Sequence, residues 1–90
     1  MKIFIGNLGN EIASSDLFQL FSKFGKVMWA DIARDRNNNP RGFGYVYMHT
    51  ATAGDSAIAA LNKKKFMQQY LSVSEALCNE KIIGKTIFYQ

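Results

Sequence analysis

The stretch RGFGYVYMH, residues 41–49, alternates between two kinds of side chain. Successive side chains of a β-strand point to opposite faces, so the alternation predicts a strand here. One face would carry Arg41, Phe43, Tyr45 and Tyr47. The other would carry two glycines, a valine and a methionine, which suit close packing against helices. The stretch therefore predicts a strand with one core face and one aromatic face.

Three further segments alternate in the same way, over residues 2–6, 26–33 and 70–74. Their apolar sides carry Ile3, Ile5, Ala30, Ile32, Leu71 and Val73. Their other sides carry Phe4, Trp29, Asp31, Ala33, Tyr70, Ser72 and Ser74. These segments predict three more strands, each with one face toward a core.

Two helices are expected between the strands. The first has an apolar stripe at positions i, i+3, i+4 and i+7, formed by Leu17, Leu20, Phe21 and Phe24. It begins at Ala13 or Ser14 and ends at Gly25, a natural left-handed stop. The second covers residues 52–62, and its stripe consists of Gly54, Ala57, Ile58 and Leu61.

The resulting order is β-α-β-β-α-β. It predicts an α+β, ferredoxin-like sandwich in which a four-stranded antiparallel sheet carries both helices on one face. The opposite face of the sheet stays open and carries Phe4, Phe43 and Tyr45. We expect this domain to span residues 1–76 and to be followed by a β-prone C-terminal tail, residues 77–90.

The composition fits one small folded domain. The 90 residues are 48% hydrophobic and 13% aromatic, which excludes a disordered acidic tail. A net charge of +4 is compatible with an anionic partner. The single cysteine, Cys78, argues against a disulfide-stapled secreted peptide. No run approaches the ~18 apolar residues of a membrane helix. We therefore expect an intracellular protein without membrane association, cytoplasmic or, in a eukaryote, nuclear.

Two segments resemble the paired motifs of the RNA recognition motif family. Residues 3–8, IFIGNL, are similar to its hexamer, and residues 41–48 are similar to its octamer, with a helix and a strand between them. Residues 57–62 and 71–76 resemble its second helix and last strand. The resemblance covers residues 2–76 and implies binding of single-stranded RNA on the open sheet face, in post-transcriptional RNA metabolism.

The resemblance also implies roles for single residues. Phe4 and Tyr45 would stack on bases, since base–aromatic stacking contributes ~1–3 kcal/mol per base. Phe43 would pack against sugars, and Arg41 and Lys2 would neutralise phosphates. Further RNA-binding candidates are Asn7, Trp29, Asp31, Tyr47, Tyr70, Ser72 and Ser74. The polar members could read base edges, and Trp29 either stacks on a base or packs at the sheet edge.

Other partners remain open. Stacking does not require the 2′-hydroxyl, so single-stranded DNA is an alternative ligand. Phe18 lies off the first helix's apolar stripe, where it is either a protein contact or a singly exposed aromatic. The apolar tail offers a second route to a protein partner or to a homodimer.

The chain departs from the family pattern before its last strand. Lys63 stands where the family commonly has glycine, at a cost of ~1–2 kcal/mol if the backbone there is left-handed. Gln68 and Gln69 replace the usual Gly-Arg. An alternative register makes Phe66, Tyr70, Val73 and Leu77 a helical stripe and moves the last strand to residues 85–89. If the last strand is instead at residues 70–74, the tail is expected to cover the RNA face, pair with a sheet edge or mediate dimerisation.

No catalytic or metal site is expected. Gly84-Lys85-Thr86 ends like a phosphate loop, but Asn79 stands at the required glycine. A calcium loop starting at Asp35 would have Pro40 at its sixth position. The single His49 and Cys78 match no zinc or nucleophile spacing. We therefore expect a binding protein without enzyme activity or cofactor.

Overall fold

A computed structural model describes residues 1–76 of the chain. Its elements in chain order are β1 Lys2–Gly6, α1 Ser14–Ser22, β2 Val27–Arg34, β3 Pro40–Met48, α2 Ala51–Leu61, β4 Lys65–Phe66, β5 Gln69–Tyr70 and β6 Ser72–Glu75. Strands β2, β3, β1 and β6 form one antiparallel sheet in that spatial order. Strands β4 and β5 form a separate hairpin.

The hydrophobic core lies between the sheet and the two helices. The sheet contributes alternate residues of its strands, among them Ile3, Ile5, Val46 and Val73, all at most 2% exposed. The helices contribute Leu17, Phe21, Ala57 and Leu61. Because both helices pack on one side, residues 1–76 leave the opposite face of the sheet open. The predicted α+β fold is confirmed.

Both helices begin close to their predicted starts. The main-chain N–H of Ala13 donates to the Asp16 carboxylate at 2.8 Å, which makes Ala13 the N-cap of α1. Asp16 also lies in the first turn, where the helix dipole favours a negative charge. In α2 the Thr50 hydroxyl accepts from the N–H of Ala53 at 3.1 Å. This bond starts α2 one residue before the predicted boundary.

Gly25 has a different role from the predicted left-handed helix stop. Its φ is +157°, and α1 ends earlier, with Lys23 as its C-cap. A Cβ at position 25 would lie 2.5 Å from the Cβ of Ala53. Glycine is thus required because α2 approaches the backbone closely at this point.

The predicted fourth strand, residues 70–74, is divided in the structure. Tyr70 belongs to β5 and pairs with Lys65, and the main sheet resumes only at Ser72. The two-residue turn between β4 and β5 holds Met67 and Gln68, with φ values of 50° and 71°. Turns of this kind normally use Gly, Asn or Asp, so residues 67–68 carry no sequence signal of a turn.

The strain expected at Lys63 is present. Its φ is 66°, in the left-handed region. Its N–H donates to the carbonyl of Leu71 at 2.7 Å, and the N–H of Leu71 donates to Lys64 at 2.9 Å. These two bonds hold Lys63 and Lys64 against Leu71, the residue that precedes β6.

Strand β2 contains a bulge that the alternation did not predict. Val27 pairs with Met48 and Trp29 with Tyr47, so Met28 is an extra residue. As a result Val27 is buried while Trp29, two residues later, is exposed.

The alternative register for the last strand is wrong over the described residues, because β6 pairs with β1. The tail, residues 77–90, lies outside the described residues, so the predicted boundary at residue 76 and the tail's roles stay predictions. Within residues 1–76, neither helix is long and apolar enough to span a membrane.

Candidate nucleic-acid interface

Three aromatic rings form a cluster on the open face of the sheet. The ring centroid of Phe4 lies 5.8 Å from that of Phe43 and 5.8 Å from that of Tyr45. Phe43 and Tyr45 are 6.0 Å apart and nearly perpendicular, at 88°. All three are half-buried, so each ring keeps accessible surface. The cluster combines mutual packing with surface for a planar ligand.

Strand register brings the three rings together. Phe4 pairs with Tyr45 across β1 and β3, and Phe43 pairs with Gly6 one pleat along. Gly6 provides the room, since a Cβ there would lie 3.0 Å from the Phe4 ring. The absent side chain lets the Phe4 ring extend over Gly6 on the open face.

Two cations lie over the rings of this cluster. The Lys2 ammonium is 4.7 Å from the Tyr45 centroid, and the Arg41 guanidinium is 5.2 Å from the Phe43 centroid. Both side chains are exposed. The open face therefore presents positive charge beside its aromatic surface, a combination suited to a polyanion with planar groups.

A second aromatic pair extends the face toward its β2 edge. Trp29 and Tyr47 are cross-strand neighbours whose rings lie 5.9 Å apart and nearly parallel, at 10°. They are 43% and 40% exposed. Trp29 thus packs on Tyr47 and still presents ring surface, so both predicted roles are compatible with its position.

One row of paired residues crosses the whole sheet on this face. Asp31 pairs with Tyr45, Tyr45 with Phe4, and Phe4 with Ser74. Ser72 lies beside Gly6 at the same edge as Ser74. Asp31 and both serines are exposed. The predicted polar residues therefore flank the ring cluster on both sides.

Asn7 and Tyr70 are positioned differently from the other candidates. The Asn7 amide donates to the carbonyl of Tyr70 at 2.7 Å, which ties the end of β1 to the β4–β5 hairpin. Tyr70 is 63% exposed, and the Lys65 ammonium lies 5.9 Å from its ring centroid. The prediction that Tyr70 lies on a strand of the main sheet is wrong, because β5 pairs with β4.

Lys65 was not among the residues predicted from the sequence for this face. In the sequence, Lys63-Lys64-Lys65 directly follow the second helix, where cations are favoured without any role in binding. The β4–β5 hairpin places Lys65 beside Tyr70. The turn of this hairpin consists of two left-handed residues, and because neither is glycine the hairpin could not be recognised from the sequence.

Phe18 lies on α1, away from the ring cluster. It is 43% exposed and borders an open hollow of roughly 300 Å³ with Ser14, Ser15, Gln19 and Ala30. No group of three or more metal-binding side chains occurs within residues 1–76.

The sequence matches a known family over most of its length. The family model described as RNA recognition motif matches residues 3–72. A protein of Nostoc sp. named RNA-binding protein RbpE is 37% identical over 82 residues, covering 90% of this chain and 83% of that protein. Another Nostoc sp. protein, named RNA-binding protein RbpA, is 35% identical over 77 residues, covering 84% and 76%.

Solved structures agree with the sequence match. The crystal structure of an RNA binding protein called PG1 superposes with a TM-score of 0.84 at 36% identity, covering 86% of this chain and 94% of that one. The Sxl-lethal protein, solved as a complex with RNA, superposes with a TM-score of 0.78 at 31% identity, covering 83% and 47%.

Proposed function

The chain belongs to the RNA recognition motif family, and we propose that it binds single-stranded RNA on the open face of its sheet. The observation that carries the proposal is the cluster of Phe4, Phe43 and Tyr45, half-exposed with Lys2 and Arg41 over its rings. Unpaired bases offer flat apolar surfaces, and their phosphates offer negative charge. The cluster meets both requirements on one surface.

Each residue of the cluster has a role in the proposal. Two bases stack on Phe4 and Tyr45, which are cross-strand neighbours. Phe43, one pleat along, packs against the sugars between those bases. The ammonium of Lys2 and the guanidinium of Arg41 contact phosphates once bases occupy the rings.

The remaining candidates widen this surface. Trp29 and Tyr47 accept a further nucleotide at the β2 edge, and Tyr70 accepts one beside the hairpin. Ser72 and Ser74 offer hydroxyls to base edges at the β6 side. The family is one of RNA-binding domains rather than enzymes, and the proposed function includes no catalytic step and no cofactor.

The proposed biological role extends the proposed binding. We propose that a small domain that holds single-stranded RNA acts on transcripts after synthesis, in post-transcriptional RNA metabolism. Support comes from two relatives that are named RNA-binding proteins, and the match with this chain covers at least 76% of the length of each.

Replacing all three rings tests the proposal. The variant Phe4→Ala/Phe43→Ala/Tyr45→Ala should lose affinity for a labelled random-sequence RNA pool by at least about 30-fold, since two stacked bases contribute ~1–3 kcal/mol each. Phe18→Ala is the matched control, because it removes an exposed ring from the helical side. Fluorescence anisotropy measures affinity, and circular dichroism checks the fold. Wild-type affinity in a folded triple variant would refute the sheet-face site.

Single-stranded DNA is the competing ligand. Stacking on Phe4 and Tyr45 does not depend on the 2′-hydroxyl, so matched RNA and DNA oligomers must be compared. The proposal expects tighter binding of RNA. Equal or tighter binding of DNA would reassign the ligand and leave the site in place.

A protein partner on α1 is the second candidate function. Phe18 is 43% exposed beside an apolar hollow on the helical side, where the RNA site does not use it. Under this hypothesis Phe18→Ala abolishes the cellular function that depends on the protein partner, while the affinity for RNA stays unchanged. Normal cellular function of that variant would remove the hypothesis.

A further inference from the structure

Asp31 places a negative charge inside the aromatic face. It lies directly across from Tyr45 in the sheet and two residues from Trp29 on its own strand. Its side chain is exposed, and none of the side-chain hydrogen bonds within residues 1–76 engages its carboxylate. The carboxylate is thus free to accept hydrogen bonds from a ligand on this face.

A carboxylate here opposes binding of a nucleic-acid backbone. Like charges repel, and the phosphates of a strand on this face would lie within the screening length of about 8–10 Å. Lys2 and Arg41 attract the same phosphates, so Asp31 weakens that attraction. A favourable contribution from Asp31 must therefore come from uncharged donors, which in RNA are the base N–H groups and the 2′-hydroxyls.

The row of side chains defines where a base edge would lie. The Cβ atoms of directly paired residues are about 4.5–5.5 Å apart, so Asp31 stands beside the Tyr45 ring. On its other side, Tyr45 packs against Phe4, whose ring centroid is 5.8 Å away. A base stacked on Tyr45 can therefore extend toward β2, which brings its edge to the Asp31 carboxylate.

We propose that Asp31 selects guanine for the nucleotide stacked on Tyr45, an inference that rests on the proposed function. The carboxylate has two acceptor oxygens and no donor. Guanine offers two adjacent donors, N1–H and the N2 amino group, on its Watson–Crick edge. Adenine and cytosine place an acceptor nitrogen beside their amino group, and uracil has one N–H between two carbonyls. Only guanine matches both oxygens.

Uridine oligomers with one central substitution test this selection. The protein can shift along such a strand until the single substituted base is stacked on Tyr45. The probes carry guanosine, inosine, adenosine or cytidine at the centre, and inosine lacks only the amino group. Wild-type protein should bind the guanosine probe about tenfold more tightly than the others, the usual discrimination of a two-bond contact. Asp31→Ala and Asp31→Asn should lose this preference and bind all-uridine RNA at least as tightly as wild type.

The matched control is Asp55→Ala, which makes the same change in charge on exposed α2, on the helical side of the sheet. It should keep the full guanosine preference. A wild-type protein with no such preference, or a preference that survives in both Asp31 variants, overturns the assignment to Asp31 while RNA binding itself stands. Failure of wild-type protein to bind any probe or the random pool overturns both proposals.

Discussion

The Lys2 ammonium lies 4.7 Å from the centroid of the Tyr45 ring, over a surface that the proposed function gives to a base. Binding of that base would displace the ammonium from the ring. A lysine has a flexible stem and a strongly hydrated charge, so it can move from the ring to a nearby phosphate at small cost. Under the proposed function, Lys2 occupies the ring in the free protein and is expected to contact the RNA backbone in the complex.

Lys2→Met should therefore reduce the salt dependence of RNA binding. Each phosphate neutralised on single-stranded nucleic acid contributes about −0.7 to the slope of log K against log salt. We expect the slope to become shallower by about that amount, with weaker binding at low salt. Titrations at several salt concentrations measure it. Lys23→Met, an exposed lysine at the end of α1, is the control, and a Lys2→Met slope equal to that of wild type would exclude the phosphate contact.

Gly6→Ala should lower RNA affinity through the Phe4 ring. The added Cβ would lie 3.0 Å from Cε2 and 3.2 Å from Cζ of Phe4, so the ring must shift by a few tenths of an ångström from its place above Gly6. We expect up to about tenfold weaker binding, because a displaced ring loses part of the ~1–3 kcal/mol of stacking. Calorimetric titration with a short RNA gives the affinity.

Gly9→Ala is the matched control for that substitution. Among residues 1–76, a Cβ at position 9 would meet only the Gln69 side chain, at an ordinary contact distance of 3.5 Å. It should leave RNA affinity unchanged. Equal affinities for Gly6→Ala and Gly9→Ala would mean that the Phe4 position does not matter for binding.

Lys63→Gly should stabilise the domain. The φ of 66° costs a residue with a side chain ~1–2 kcal/mol, and the greater freedom of glycine in the unfolded chain offsets part of the gain. We expect a net increase of about 0.5–1 kcal/mol in the free energy of unfolding, measured by urea denaturation. Lys64→Gly, at a neighbour without positive φ, should be destabilising. A Lys63→Gly protein less stable than wild type would show that the lysine side chain contributes more than the strain costs.

The sequence predicted the elements whose pattern is regular over several residues. Alternation identified which side chains of β1 and β3 face the core, because successive residues of a strand lie on opposite faces. Val46 is buried, for example, whereas its neighbour Tyr45 lies on the open face. The same alternation placed Phe4, Phe43 and Asp31 on one face.

Local backbone conformation was not predictable in the same way. The β4–β5 hairpin has strands of two residues, too short to show a period, and its turn uses Met67 and Gln68 in a conformation they rarely adopt. The bulge at Met28 is one inserted residue without a sequence signal. The need for Gly25 depends on Ala53, a contact between elements distant in sequence.

Asn7→Ala should destabilise the domain more than Asn7→Gly. Asn7 has a φ of 61°, a conformation that Asn and Gly tolerate better than Ala, and its amide donates to the Tyr70 carbonyl at 2.7 Å. Ala loses the bond, at about 0.5–1.5 kcal/mol, and also pays about 1–2 kcal/mol for the left-handed backbone, whereas Gly loses mainly the bond. Thermal unfolding of the two variants measures the difference. Because the amide already has an internal partner, RNA affinity measured well below either midpoint should fall by less than threefold. A larger loss in Asn7→Gly would place the amide in direct contact with RNA, and equal stabilities of the two variants would remove the backbone argument.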